Sequence, residues 1–182
     1  MRIKDFTHNE MSDAQRDVAA EAASGKRGRM PAPLRAWIHS PQFGARAQRL
    51  GEFLRYDTTL SPQLSELAIL VTARFWTSQY EWFVHKREAL KAGLDPAVVD
   101  AIAQRRRPVF SITAQQAVYD YATTLHDNHV ISDTIHATAI RELGEAGVVE
   151  LVGLLGYYTL VSMTLNAFEI GLPPDEAPEL EP

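Results

Sequence analysis

The residues best suited to chemistry lie together in one segment, residues 66–85. Glu81 and His85 are four positions apart, so on a helix they share one face. A carboxylate beside an imidazole fixes its tautomer and raises its pKa, which suits the pair to general acid/base work near neutral pH. Further polar residues stand among apolar ones, where each is costly to bury unless it is paired or used: Glu66, Arg74, Ser78, Tyr80 and Trp82.

The same segment has a purely structural interpretation. Ser78 and Glu81 are three positions apart and read as a capping box, with Ser78 at the N-cap and Glu81 at the third helical position. Glu81 would then satisfy backbone donors, and His85 would be a half-buried helix residue paired with it. Trp82 at this spacing would belong to the core or to an interface. The spacing alone leaves both interpretations open.

The elements that position this segment are predicted to be helices. No stretch alternates apolar and polar residues with a period of two, so the fold class is all-α, with seven or eight helices. Ser61-Pro62 is a helix start, and the residues after it are too densely apolar for a half-exposed face. A second helix follows from about Gln79 to Ala92 and ends at Gly93. Helices are also predicted for Ser132–Leu143 and for the very apolar run Gly147–Phe168.

Composition limits the possible functions. The chain has 182 residues, 46% of them hydrophobic and 23% charged. These values are typical of one soluble globular domain. The chain contains no cysteine, so a disulfide framework, a zinc–thiolate site and a thiol nucleophile are excluded. The 18 Lys and Arg against 23 Asp and Glu argue against nucleic-acid binding. We expect no targeting segment, no membrane span, no metal site and a cytoplasmic location.

Three stretches of the chain resemble the carboxymuconolactone decarboxylase family, which shares its fold with alkyl hydroperoxidase D. They are Ser61-Pro62-x-Leu64-Ser65-Glu66-Leu67-Ala68-Ile69-Leu70, then Gln79-Tyr80-Glu81-Trp82-x-x-His85, and then Ala92-Gly93-Leu94. The resemblance covers roughly residues 60–172, and the Tyr-Glu-Trp-x-x-His element is typical of one branch. It implies one domain over residues 1–182, with a helical extension (1–59) before the core (60–172). The acidic, proline-rich composition of the tail (173–182) predicts that this segment is flexible.

The resemblance also separates two chemistries. In the peroxidase branch, a glutamate is followed 12 and 15 positions later by two cysteines, and a histidine lies four positions further on. Counted from Glu66, the cysteine positions hold Ser78 and Glu81, whereas the histidine is His85. Thiol peroxidase chemistry needs both thiols, so it is excluded. The decarboxylase branch has a Glu-x-x-x-His element, which Glu81 and His85 match, although the flanking Tyr80 and Trp82 differ from it.

The resemblance and the residues together predict a cofactor-independent decarboxylase-like lyase or isomerase. The substrate would be a small carboxylated or lactone metabolite. His85 would be the general acid/base, Glu81 its partner, and Glu66 and Tyr80 the rest of the proton network. Arg74 would hold the anion, with Trp82 and Ser78 in the binding site. The alternative is a non-catalytic, ligand-binding relative. The resemblance further implies a homo-oligomer, as a dimer, trimer or hexamer.

Overall fold

Every regular element in the chain is helical, which confirms the predicted all-α class. The computed structural model describes residues 1–182. After a 3-10 turn at His8–Glu10, eight α-helices follow in chain order: α1 (Asp13–Ser24), α2 (Leu34–Trp37), α3 (Pro41–Tyr56), α4 (Pro62–Phe75), α5 (Gln79–Lys91), α6 (Pro96–Ala103), α7 (Thr113–Asn128) and α8 (Asp133–Ala167).

Side-chain caps fix where several of these helices begin. Ser61 accepts a hydrogen bond from the backbone N–H of Leu64, and Pro62 occupies the first turn of α4. Asp95 caps α6 in the same way, and Ser132 caps α8. Each cap satisfies a donor that the first turn of a helix leaves free. The predicted start of α4 at Ser61-Pro62 is therefore confirmed.

Helix α4 lies at the centre of the bundle and packs against α5, α7 and α8. All ten of its residues from Ser65 to Arg74 are buried. A helix covered on all sides is expected to be apolar all round, and the dense apolar run after Leu64 meets that requirement. Glu66 and Arg74 are the charged exceptions, so each must find its partners inside the fold.

Helix α8 joins two predicted helices end to end. Gly144 interrupts it with φ 72° and ψ 169°. Glycine adopts this conformation easily because it has no Cβ. By length and composition α8 would be able to cross a membrane, but buried core helices of soluble proteins pass the same test. In this fold 56% of its most apolar window is buried against the rest of the chain.

The C-terminal segment, expected to be a flexible tail, is docked on α5. Gln79 accepts hydrogen bonds from the backbone N–H groups of Glu179 and Leu180, and donates to the carbonyl of Leu180. Leu180 is buried, and Lys86 pairs with Glu179. The prediction that this segment is flexible did not take Leu180 into account. An apolar side chain near a terminus can hold the segment in place when it is buried.

Candidate functional site

His85 lies between two carboxylates inside the bundle. Its Nδ1 forms a hydrogen bond of 2.6 Å with Oε2 of Glu66 on α4. Its Nε2 lies 2.9 Å from Oε1 of Glu81, one turn earlier on α5. All three side chains are buried. The predicted pairing of Glu81 with His85 is therefore present in the structure, and Glu66 completes a Glu–His–Glu triad.

The triad holds His85 in its charged form. Burial alone would lower the pKa of the imidazole, but the charges of Glu66 and Glu81 and their contacts with the ring outweigh it and raise the pKa to about 9. His85 is thus an imidazolium at neutral pH. Both ring N–H groups then face carboxylates, so no buried charge in the triad lacks a partner.

Tyr158 on helix α8 packs against the triad. The ring of Tyr158 meets that of His85 edge to face, with the centroids 5.0 Å apart. Burial raises the pKa of the Tyr158 hydroxyl well above its usual value of 10. Tyr158 therefore remains protonated and uncharged over the whole range in which His85 titrates.

A cavity of about 450 Å³ opens beside the triad. His85 and Glu81 line it, whereas Glu66 lies behind them. Three arginines also line the cavity: Arg27, Arg29 and Arg55. Its wall also contains tyrosines and apolar residues: Tyr80, Tyr157, Tyr158, Met30, Pro31, Pro33, Val84 and Val161. An excess of guanidinium groups around a cavity favours an anionic ligand.

Arg55 connects this cavity to the triad. Its Nη2 lies 3.9 Å from Oε1 of Glu66 and 3.9 Å from Oε2 of Glu88 at the cavity wall. At these distances Arg55 makes no direct hydrogen bond to either carboxylate. Its guanidinium therefore has donors available for a ligand in the cavity.

Three of the predicted binding residues lie elsewhere. Arg74 is eight positions beyond Glu66 on α4. At the helical rise per residue, this spacing places it about 12 Å further along the helix axis. Arg74 donates to the backbone carbonyl of Glu181 and not into the cavity beside His85. Ser78 and Trp82 are buried and also do not line that cavity. The expectation that these three residues contact a ligand next to His85 is not met by this geometry.

The capping-box interpretation is also wrong. Ser78 stands at the N-cap of α5, but its side chain makes no capping hydrogen bond. The carboxylate of Glu81 turns along the helix towards His85 instead of back to the N-cap. The attraction between a buried carboxylate and a buried imidazolium outweighs one backbone hydrogen bond at the helix start.

Sequence reasoning missed the arginines that do line the cavity. Arg27 and Arg29 belong to the segment Ser24–Arg29, whose glycines and basic residues are typical of a flexible linker. Arg55 lies near the end of α3, in the predicted N-terminal extension. The available signal was the Arg-x-Arg spacing after Gly25, which places two guanidinium groups on one short loop. The sequence leaves open whether Tyr157, Tyr158 and Asn166 line the pocket or an interface. In the structure Tyr157 and Tyr158 line the cavity, whereas Asn166 donates a hydrogen bond to the carbonyl of Trp76.

Comparisons with known proteins agree with this architecture. The model of the Carboxymuconolactone decarboxylase family matches residues 41–124. An uncharacterized peroxidase-related protein from Ralstonia eutropha JMP134, whose structure is described as an alkylhydroperoxidase AhpD core, has 17% identity and a TM-score of 0.76. That match covers 96% of this chain and 93% of the other.

A second structure gives the same result. An uncharacterized peroxidase-related protein from Silicibacter sp. TM1040 has 13% identity and a TM-score of 0.73, over 92% of this chain and 89% of the other. No curated protein matches the chain. At such low identity the structural likeness shows the fold alone. The chain thus has the fold of the alkylhydroperoxidase AhpD core, and its residues 41–124 match the model of the carboxymuconolactone decarboxylase family.

Proposed function

We propose that the protein is a cofactor-independent lyase or isomerase, decarboxylase-like in its chemistry, that moves a proton on a small carboxylated or lactone metabolite. The observation that carries this proposal is the buried Glu–His–Glu triad, which ends at a cavity lined by three arginines. The arginines would hold a substrate carboxylate, and the triad would deliver the proton.

The two nitrogens of His85 have different roles in this mechanism. The hydrogen bond from Nδ1 to Glu66 fixes the orientation of the ring and its protonation on that side. Nε2 lies on the side of Glu81 and the cavity. It is therefore the nitrogen that exchanges a proton with the substrate, and Glu81 is its immediate partner.

A decarboxylation would begin at the bond between the substrate carbon and its carboxylate. That bond breaks, carbon dioxide leaves, and the electron pair remains on the carbon as an enolate. The Nε2 proton of His85 then passes to that carbon, directly or through Glu81. Water returns a proton to the triad. An isomerisation would use the same groups, with Glu81 first accepting a proton from carbon and the triad returning it at a second position.

The thiol mechanism associated with peroxidase-related proteins is not available to this chain. That mechanism needs an attacking thiolate and a second thiol, and the sequence has no cysteine. The positions that correspond to the two thiols are Ser78, which is fully buried, and Glu81, which is bound to His85.

The test is a screen of small lactones, enol acids and 3-oxo acids, read by NMR as product formation and as deuterium uptake from D₂O. His85→Gln and Glu81→Gln should each lower the rate at least about 100-fold, the usual contribution of a positioned acid or base. Glu88→Gln, which changes a cavity carboxylate that does not touch His85, should retain most of it. Unchanged turnover in His85→Gln would overturn the assignment.

A second candidate, a non-catalytic ligand-binding protein, is favoured by one observation. Both nitrogens of His85 already face carboxylates, which is also how a purely structural buried histidine is satisfied. In that case small carboxylates would bind the arginines with no turnover, and Arg55→Gln would weaken binding while His85→Gln would not. Turnover by the wild type that depends on His85 excludes this candidate.

A further inference from the structure

Two arginines meet at one hydroxyl group on the side of α4 away from the His85 cavity. Arg74 donates from Nη1 to Oγ1 of Thr77 at 3.0 Å, and Arg105 donates from Nη2 to the same oxygen at 3.2 Å. Neither guanidinium forms an ion pair with a carboxylate of the chain. Two like charges held this close repel each other unless an anion lies between or beside them.

The backbone is strained at both points that produce this contact. Thr77 has φ 46° and Arg105 has φ 54°, which is the left-handed region. A β-branched residue such as Thr77 adopts that region only rarely. Both residues directly follow a helix end, where hydrogen bonds from Ser78 N–H to the carbonyl of Ala73 and from Arg106 N–H to the carbonyl of Ala101 hold the backbone in this region.

Arg74 has an unsatisfied donor next to this contact. The residue is 5% exposed, and its Nε has no hydrogen-bond partner. Burial and the charge of Arg105 lower its pKa, although the charge of Glu181 acts in the opposite direction. The hydrogen-bond acceptors that the fold gives Arg74 are neutral oxygens, the hydroxyl of Thr77 and the backbone carbonyl of Glu181, so its charge has no carboxylate at hydrogen-bond distance.

A cavity of about 150 Å³ lies beside the two arginines. Arg74, Arg105 and Arg106 line it, against a single carboxylate, that of Asp127. The rest of its wall is apolar, aromatic or neutral: Val71, Phe75, Ile102, Tyr119, Thr123 and His126. The cavity is therefore small, and the guanidinium groups set the sign of its charge.

His126 forms part of the wall of this cavity and carries no charge. Its ring stacks on that of Phe75, with the centroids 4.7 Å apart, and its Nε2 lies 2.9 Å from Oγ1 of Thr72. Because Thr72 donates its own hydroxyl proton to the carbonyl of Ala68, its oxygen accepts from His126. Burial lowers the pKa of His126, so the ring is neutral at physiological pH.

We propose that this cavity is a second ligand site, separate from the one beside His85, and that it takes a phosphate group. Guanidinium groups match the oxygens of phosphate in pairs, and those of Arg74 and Arg105 meet at Thr77 beside this cavity, which Arg106 also lines. The group is inorganic phosphate or the phosphoryl end of a small phosphomonoester. This proposal does not depend on the function proposed for the His85 cavity.

The test is calorimetric titration of the whole protein with inorganic phosphate, at an ionic strength held constant with chloride. Arg105→Gly removes one guanidinium and also relieves the left-handed strain, so the variant should fold at least as well as the wild type. We expect it to bind phosphate at least about 10-fold more weakly, because one charge-assisted contact is lost. Arg46→Gln, which changes an exposed arginine on α3, is the matched control and should bind normally.

Two further measurements identify which of the two cavities binds phosphate and which kind of phosphate ligand it takes. Arg55→Gln changes the His85 cavity and should leave phosphate affinity unchanged; if it abolishes binding while Arg105→Gly does not, the proposal is wrong. Glycerol 3-phosphate in place of inorganic phosphate distinguishes the two sources, since tighter binding of the ester indicates a phosphorylated metabolite. Absence of any phosphate binding by the wild type would also overturn the proposal.

Discussion

At His85, the two ring nitrogens are held by different parts of the fold. Glu66 approaches Nδ1 from α4, so that contact depends on how two helices pack. Glu81 approaches Nε2 from the same helix, so its position follows from the i, i+4 spacing. The interhelical contact is the shorter of the two, and we infer that Glu66 is the main determinant of the raised pKa of His85.

The first prediction concerns the pH dependence of stability. The pKa of His85 is about 9 in the folded protein and 6.5 without its environment. A raised pKa stabilises the fold fully below about 6.5, and that stabilisation is lost as the pH rises through about 9. The loss corresponds to on the order of 3 kcal/mol. Urea unfolding at pH 6 to 10 should show it as a falling midpoint.

Glu66→Gln tests this prediction directly. The variant should lower the pKa of His85, measured by NMR titration, and flatten the fall in urea midpoint between pH 7 and 10. Glu88→Gln is the control, because Glu88 approaches Arg55 but not His85. An equal slope in Glu66→Gln and the wild type would show that other groups cause the pH dependence.

The sequence predicted the part of the site that lies on one helix. Glu81 and His85 are related by a fixed helical spacing, so their contact follows from the sequence. Arg74 and Arg55 show the limit of that reasoning. Which arginine faces the cavity depends on how α3, α4 and the segment after α1 pack together. That packing cannot be predicted from the spacing of residues along the chain.

At the scale of elements, the close approach of α3 to α8 depends on Gly51. A Cβ at this position would lie 2.0 Å from the hydroxyl of Tyr157 and 2.2 Å from its ring. Tyr157 is buried and forms part of the cavity wall. The same Cβ would lie 2.6 Å from Nη2 of Arg27, so both the tyrosine ring and the guanidinium would have to shift to make room for it.

We predict that Gly51→Ala destabilises the protein by about 1–3 kcal/mol, the usual cost of overpacking. Gly156→Ala is the matched control, because no atom lies within 4 Å of a Cβ built there. That substitution should be neutral or stabilise α8 by up to about 1 kcal/mol, since alanine is the better helix former. Urea midpoints of the two variants measure the difference, and equal midpoints would contradict the prediction.

The third prediction concerns the docked C-terminal segment. Gln79 makes three hydrogen bonds to Glu179 and Leu180, so Gln79→Ala should release this segment from α5. Amide hydrogen exchange should accelerate in residues 173–182, while the midpoint of global unfolding changes little. Gln116→Ala changes an exposed glutamine on α7 and should affect neither quantity. Unchanged exchange in Gln79→Ala would show that the buried Leu180 and the contacts of Arg74, Lys86 and Arg87 hold the segment without Gln79.

At the scale of the whole molecule, α8 presents apolar residues on both of its sides. One side packs on α4, while Val149, Val152 and Met163 are exposed on the other. Helix α3, which packs on α8, adds the exposed Leu50 and Phe53. An apolar surface of this kind is usually covered by a partner, and a second copy of the chain is the partner that the predicted homo-oligomer requires.

Val149 is the residue at which the oligomer can be tested, because 71% of it is exposed in the isolated chain. Val149→Asp should leave the fold intact and shift the mass measured by light scattering from an oligomer towards one chain of 20.3 kDa. Val109, which is 93% exposed and lies in the loop between α6 and α7, gives the matched control, and Val109→Asp should leave the mass unchanged. The carboxylate disrupts association only where a partner would bury it, since an unpaired buried charge is costly. A wild-type mass of one chain, or equal masses for the two variants, would show that this face of α8 is not where copies meet.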